Sequence, residues 1–107
     1  MICAITARRI QSGKTDEFLD KFRGGADQMP AEIRDRFKAV YACKDVTDPD
    51  TILTFGLFDG TLDELRGIQS TDTRDEQLEG ISPLVEEVLF DGSFEVLTDY
   101  VSAGAAR

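Results

Sequence analysis

The chain has no histidine, asparagine or tryptophan, and only two cysteines and three prolines among its 107 residues. Without histidine, no side chain has an ordinary pKa near neutrality, so acid–base work falls to carboxylates, tyrosine, cysteine or lysine. Two thiols without histidine make a poor zinc site, which normally needs four nitrogen or sulfur ligands. No metal and no cofactor are therefore expected. No run of about 18 apolar residues is present, so no membrane span or membrane partner is expected. The start, "MICAITARRI", lacks both a basic leader and a cleavable apolar stretch and reads as a first strand. Cytoplasm is the expected compartment, and a reducing cytoplasm makes Cys3 and Cys43 buried small hydrophobes rather than a disulfide. Basic residues are also scarce: 12 against 21 acids, a formal charge of −9. That field repels phosphate backbones and argues against a nucleic-acid partner.

What is present reads as one domain over residues 1–101, with a disordered tail at 102–107. Hydrophobic residues make up 41% of the chain, and a domain this long buries roughly two-thirds of its extended surface, enough for one core. "ICAITARRIQ" is rich in β-formers and reads as a strand. "SG" breaks it. Thr15 suits a helix N-cap, and Asp16 and Glu17 suit the positive first turn. Phe18, Leu19, Phe22, Ala26 and Met29 then follow at helical spacing until Pro30. Gly24 and Gly25 either allow close packing or mark a frayed end.

"AEIRDR" is an ambiguous connector. Beyond it, Phe37, Ala39, Tyr41 and Cys43 share one face of a second strand. "VTDPD" is a turn, and "TILTFGLFD" is a third strand, apolar on both faces, forming a hairpin with the second. Thr61 and Glu64 fit a capping box that opens a short helix with Leu62, Leu65 and Ile68 buried. Leu78, Ile81, Val85, Val88 and Leu89 form another helical stripe, kinked or restarted at Pro83 and stopped by Gly92. "SFEVLTDYV" closes the domain as a strand.

The order β-α-β-β-α-β, with the second helical region split, predicts an α+β ferredoxin-like fold. Right-handed crossovers give an antiparallel sheet of strand order 4-1-3-2 with both helices on one face. Strands 1 and 3 are apolar on both faces, so the uncovered face would be greasy. Such a patch normally marks an interface. The expectation is a homodimer whose sheets pack face to face around a cavity. The same order puts strand 3 between Cys3 and Cys43, about 9–10 Å apart, too far for a bridge that needs about 7 Å. "GKT" at 13–15 ends like a phosphate-binding loop, but the glycine required five residues earlier is Arg8, within a strand. The segment reads instead as a strand-to-helix turn.

"RRIQSGKTDEFLDKF" resembles the strand-Gly-Lys-helix entry of the antibiotic-biosynthesis monooxygenase family of dimeric α+β barrels. "AVYACKDVTDPDTILTFGLFDGTLDEL" resembles that family's hairpin, its aspartate-rich turn and the strand leading into the second helix. The resemblance spans about residues 2–101. It implies a dimeric barrel and, for the active members, cofactor-free oxygenation of quinol-like or polyketide aromatics. Other relatives degrade haem with histidine, asparagine and tryptophan, and this chain has none of the three. Phe58 stands where the family commonly has tryptophan, and the connector before Phe37 is longer than the family's short Pro-Gly loop.

The candidate catalytic residue is Tyr41, on a strand that would line the cavity. Its hydroxyl could orient a phenolic substrate or hold an oxyanion, unless it is simply a packed aromatic. Thr6, Arg8, Cys43, Thr54 and Phe58 are candidate ligand-binding residues. Arg8 or Arg9 could meet a carboxylate or phenolate, or pair with a surface acid. Thr6, Thr54 and Phe58 could equally serve packing. Two functions follow. One is a cofactor-independent monooxygenase for a small electron-rich aromatic in an apolar cavity. The other is a non-catalytic module of the same fold that binds a small apolar ligand or dimerises.

Overall fold

Strand β1, Ile2–Ile10, is the β-rich run that opens the chain. It ends where Gly13 adopts a positive φ of 78°, a turn conformation glycine enters without steric cost. The computed structural model describes residues 1–69 and 78–97. Helix α1, Thr15–Asp27, follows the turn, with Asp16 and Glu17 in its first turn. Thr15 is its first helical residue; Lys14 occupies the N-cap, and no side chain caps the end. The expected threonine cap is thus displaced by one residue. The helix passes through Gly24 and Gly25 unbroken. The ambiguous connector forms a short helix, α2, Ala31–Arg34, entered from Pro30.

Strands β2, Phe37–Lys44, and β3, Thr51–Phe58, form the expected antiparallel hairpin. Its loop is held by its own acids. The Asp45 carboxylate accepts the Thr47 N–H and hydroxyl, both at 2.7 Å, and the Asp48 N–H at 3.2 Å. These bonds favour the charged form and hold the Asp45 carboxyl below its usual range. Helix α3, Leu62–Gln69, starts on the expected capping box. Thr61 N–H donates to Glu64 Oε1 at 3.0 Å, and Glu64 N–H donates to Thr61 Oγ1 at 3.2 Å.

The largest departure lies beyond α3. Residues 78–81 are helical, Ser82–Leu84 form one 3₁₀ turn containing Pro83, and β4 then runs from Val85 to Glu95. The predicted helix through Leu89 and the predicted helix stop at Gly92 are therefore both wrong. Two β-bulges in the β1–β4 ladder explain the error. They insert Glu86 and Leu89 out of phase, so the strand's apolar residues fall at helix-like intervals. Residues 98–107, which include the end of the expected last strand, Tyr100 and the tail, lie outside the described residues.

The sheet order is β2-β3-β1-β4, the predicted 4-1-3-2 read from the other edge. The fold is ferredoxin-like α+β. Among the described residues, no helix is long and apolar enough to cross a membrane. Among the described residues, the helices leave one sheet face bare, and the covered face holds two separate apolar clusters. Ile10, Phe18, Ile52, Ile81 and Leu84 form one; Ile2, Phe58 and Leu65 form the other, with Phe37, Leu62 and Ile68 against them. Full burial of each large side chain is worth about 1.5–3 kcal/mol relative to exposure. On the bare face Tyr41 is 57% exposed, Phe94 49%, Phe90 46% and Leu53 37%. The thiols differ from expectation: both are free, but Cys43 is exposed and only Cys3 is partly buried. Desolvation pushes the Cys3 thiol up.

Candidate functional site

Directly paired residues of neighbouring strands share a face, so the register maps the covered face row by row. One row reads Phe37, Phe58, Ile2 and Glu95 across the sheet. The next reads Val40, Gly56, Ala4 and Ser93, and the third reads Ala42, Thr54, Thr6 and Asp91. Arg8 and Ile52 follow. Large side chains thus occupy both ends of the face, in the two clusters, and small or polar ones occupy its middle.

Over that middle, between sheet and helices, lies a cavity of about 650 Å³. Its apolar walls come from Phe22, Met29, Ile33, Phe37 and Ile68; its floor comes from Ala4, Gly56, Thr6 and Thr54. Gly56 sets the depth: the nearest atoms a Cβ there would meet are those of the Phe37 ring, at 3.6 Å, and the Ala39 carbonyl, at 3.9 Å. The volume lies within the roughly 300–1,000 Å³ of small-molecule sites.

The floor is polar along one line. Arg8 is 8% exposed and Thr54 7%. Arg8 Nη1 donates to Thr54 Oγ1 at 3.1 Å, and Thr54 Oγ1 donates to the Thr6 carbonyl at 3.3 Å. Thr6 Oγ1 donates to Asp91 Oδ1 at 3.1 Å. The Arg8 guanidinium also lies over the Phe18 ring, 5.8 Å from its centroid, a favourable cation–π geometry. Arg9, on the bare face, instead pairs with Glu87 at 2.8 Å in an exposed ion pair. Among the described residues, no group of His, Cys, Asp or Glu is arranged to hold a metal ion.

The predicted site residues divide between the two faces. Thr6, Arg8 and Thr54 come together at the cavity floor. Phe58, fully buried, packs in the cluster beside it, 5.1 Å from the Phe37 ring centroid. Tyr41 and Cys43 stand on the bare face, where Tyr41 stacks on Phe55 at 6.2 Å. The expectation that Phe37 shares a face with Tyr41 and Cys43 fails because Lys38 is bulged: Phe37 pairs with Phe58 but Ala39 with Leu57. Val40 and Phe37 thereby both reach the cavity. Asp91 was missed because its segment was read as a helix end. The alternation of Asp91, Ser93 and Glu95 with Phe90, Gly92 and Phe94 was the signal that could have found it.

No protein-family model matches this sequence, and no curated protein matches it. Solved structures do. One from Caulobacter crescentus, provisionally named an antibiotic biosynthesis monooxygenase, has a TM-score of 0.78 at 15% identity, covering 91% of this chain and 90% of its own. A structure from Chloroflexus aurantiacus, with the same provisional name, has a TM-score of 0.73 at 17% identity, covering 92% and 94%. A conserved protein from Methanosarcina mazei has a TM-score of 0.74 at 10% identity, covering 88% and 90%. At these identities the likeness is one of fold: this chain has the ferredoxin-like α+β fold of structures named antibiotic biosynthesis monooxygenases.

Proposed function

We propose that the chain is a cofactor-independent monooxygenase for a small electron-rich aromatic, bound in the cavity between sheet and helices. The observation that carries this reading is the buried Arg8–Thr54 pair on the floor of an apolar cavity of about 650 Å³. Apolar walls take up a ring system and exclude water. A guanidinium in low dielectric stabilises a phenolate or enolate, the form of an aromatic that gives electrons to oxygen most readily. The substrate is then its own reductant. A methylene becomes a carbonyl, R₂CH₂ + O₂ → R₂C=O + H₂O, with the four electrons drawn from substrate. The provisional names of the structures of like fold support the same class of reaction. Thr6, Arg8 and Thr54 are the ligand contacts in this reading, and Phe58 backs the wall.

Incubating the protein with hydroquinones and anthrones while following oxygen uptake tests the reaction; ligand fluorescence reports binding separately. Uptake should be saturable and should fall at least tenfold in Arg8→Met, with Tyr41→Phe close to wild type. Uptake at the buffer rate with every compound overturns the oxygenase reading. Binding without uptake supports the second reading, a non-catalytic ligand-binding module, which the lack of His, Asn and Trp favours.

We further propose that two copies pack through the bare sheet face, in the cytoplasm. The exposed Tyr41, Leu53, Phe90 and Phe94 support this, since a monomer seldom leaves so many large apolar side chains contiguous in water. Tyr41 and Cys43 would then line the interface. A monomeric mass by light scattering at micromolar concentration would sink the proposal.

A further inference from the structure

The cavity carries charge of the opposite sign to the chain. Overall, 12 basic residues stand against 21 acids. Among the described residues lining the cavity, two are basic, Arg8 and Lys21, and one is acidic, Asp91. The balance there is one positive charge within apolar walls. The three groups are not equivalent. Lys21 and Asp91 are exposed, and Asp91 Oδ1 accepts the Thr6 hydroxyl at 3.1 Å. Arg8 alone is buried. Thr54 Oγ1, at 3.1 Å, and the Phe18 ring, at 5.8 Å, fix its guanidinium in the cavity wall. A guanidinium stays protonated in proteins, so this charge is present at every working pH.

We propose that the ligand of this cavity is an aromatic monocarboxylate, with its carboxylate on the Arg8 guanidinium and its rings along the floor toward Phe37. The inference rests on the cavity as a ligand site, which both functional readings share, and not on oxygenation. A guanidinium presents its N–H donors in a planar fork that matches the two oxygens of a carboxylate. Such charge-assisted hydrogen bonds are roughly twice as strong as neutral ones. One net positive charge suits a monoanion. A phosphate dianion would leave surplus negative charge beside Asp91, which like-charge repulsion disfavours.

The floor has the matching length and relief. Thr54 meets the guanidinium, and Phe58, four residues further along β3, packs on the Phe37 ring. Four residues of strand span about 13 Å, the length of a carboxylate on two or three fused rings. Gly56 and Ala4 lie between them on the same face, and neither raises a side chain large enough to stop the rings. A hydroxyl ortho to the carboxylate would reach the same fork, and this supplies the phenolate that the oxygenase reading requires.

Two probes of one shape separate charge from packing: 2-naphthoate and its neutral amide, 2-naphthamide. Both fluoresce, and the chain has no tryptophan to obscure them. In titrations of the full chain at neutral pH, the acid should bind at least tenfold more tightly than the amide. Arg8→Met should erase that preference, weakening the acid at least tenfold and the amide less than threefold. Arg8→Gln keeps a donor for Thr54 and should do the same, which covers a methionine variant that fails to fold. Gly56→Leu should weaken both probes, locating them on the floor. Equal affinity of wild type for acid and amide overturns the inference, with or without folded variants. An acid preference that survives in either folded Arg8 variant also overturns it. If anthrone, which has no carboxylate, is oxidised while the acid binds no better than the amide, the oxygenase reading stands and this inference falls. If neither probe nor anthrone binds, the cavity is not a ligand site and both fall.

Discussion

Phe37 and Tyr41 stand on opposite faces of β2, although four residues along an extended strand should put them on one. Phe37 pairs with the buried Phe58 and Tyr41 with Phe55 of the bare face, because Lys38 is bulged between them. A single extra residue thus decides which aromatic faces the cavity and which faces outward.

The two aromatics should therefore respond differently to truncation. Phe37→Ala removes a half-buried ring from the cluster around Phe58 and should cost about 1–3 kcal/mol, less than full burial would. Tyr41→Ala should cost under about 0.5 kcal/mol at dilutions where wild type is monomeric, while lowering the dimer fraction at higher concentration. Urea midpoints at two protein concentrations separate these outcomes. Equal losses for both variants at high dilution would contradict the face assignment.

Arg36 ties the start of β2 to α3. Its guanidinium bonds Glu64 at 2.5 Å and the Asp59 carbonyl at 3.0 Å, and lies 4.8 Å from the Phe58 ring centroid. The Arg36 bond, followed by the Thr61 N–H and hydroxyl, lowers the Glu64 carboxyl from 4.5 to about 2. A carboxyl more acidic in the folded chain stabilises the fold above its unfolded pKa and loses that contribution as pH falls through the folded value. Stability should decline between about pH 4.5 and pH 2, and Glu64→Gln should flatten that part of the profile in thermal melts. Thr61→Ala removes the cap and should cost about 1 kcal/mol at neutral pH.

Two glycines should show opposite signs when replaced by alanine. A Cβ at Gly60 would collide with the Arg36 guanidinium and lie 2.5 Å from Phe58 Cε2. Gly60→Ala should lower stability by about 1–3 kcal/mol. At Gly24, inside α1, a Cβ meets nothing within 4 Å, so Gly24→Ala should raise stability by about 0.5–1 kcal/mol. Chemical denaturation of both variants checks the pair; a stabilised Gly60→Ala would contradict the packing described.

Gly56→Leu should fill the cavity floor from the centre of β3. Binding of fused aromatics should weaken at least tenfold, while Gly56→Ala, whose Cβ finds only ordinary contacts, should bind nearly as wild type. Fluorescence titration of anthrone checks both. Unchanged binding in a folded Gly56→Leu would place the ligand elsewhere.

Arg8 and Arg9 are neighbours that should differ in the same way. Arg9→Met loses an exposed pair with Glu87 and should change stability by at most about 1 kcal/mol. Arg8→Met leaves the buried Thr54 hydroxyl without its donor and should cost more, about 1–3 kcal/mol. Thermal denaturation ranks the two; the reverse order would contradict the burial of Arg8.

The sequence by itself determined the order of elements, the hairpin, the capping box at Thr61 and Glu64, and the strand order. Each depends on local periodicity, on turn and cap chemistry, or on the handedness of crossovers, all of which are written in short segments. It also singled out Thr6, Arg8 and Thr54, but for a cavity between two sheets; the unbroken β1–β3 register puts all three on the helix-covered face instead. Only the tertiary structure decided the phase of β2 and β4. Bulges at Lys38, Glu86 and Leu89 are set by pairing with a neighbouring strand, and they reverse the alternation that a single segment shows. That is why Phe37 parted from Tyr41 and turned to the covered face, and why the apolar spacing of 85–89 imitated a helix.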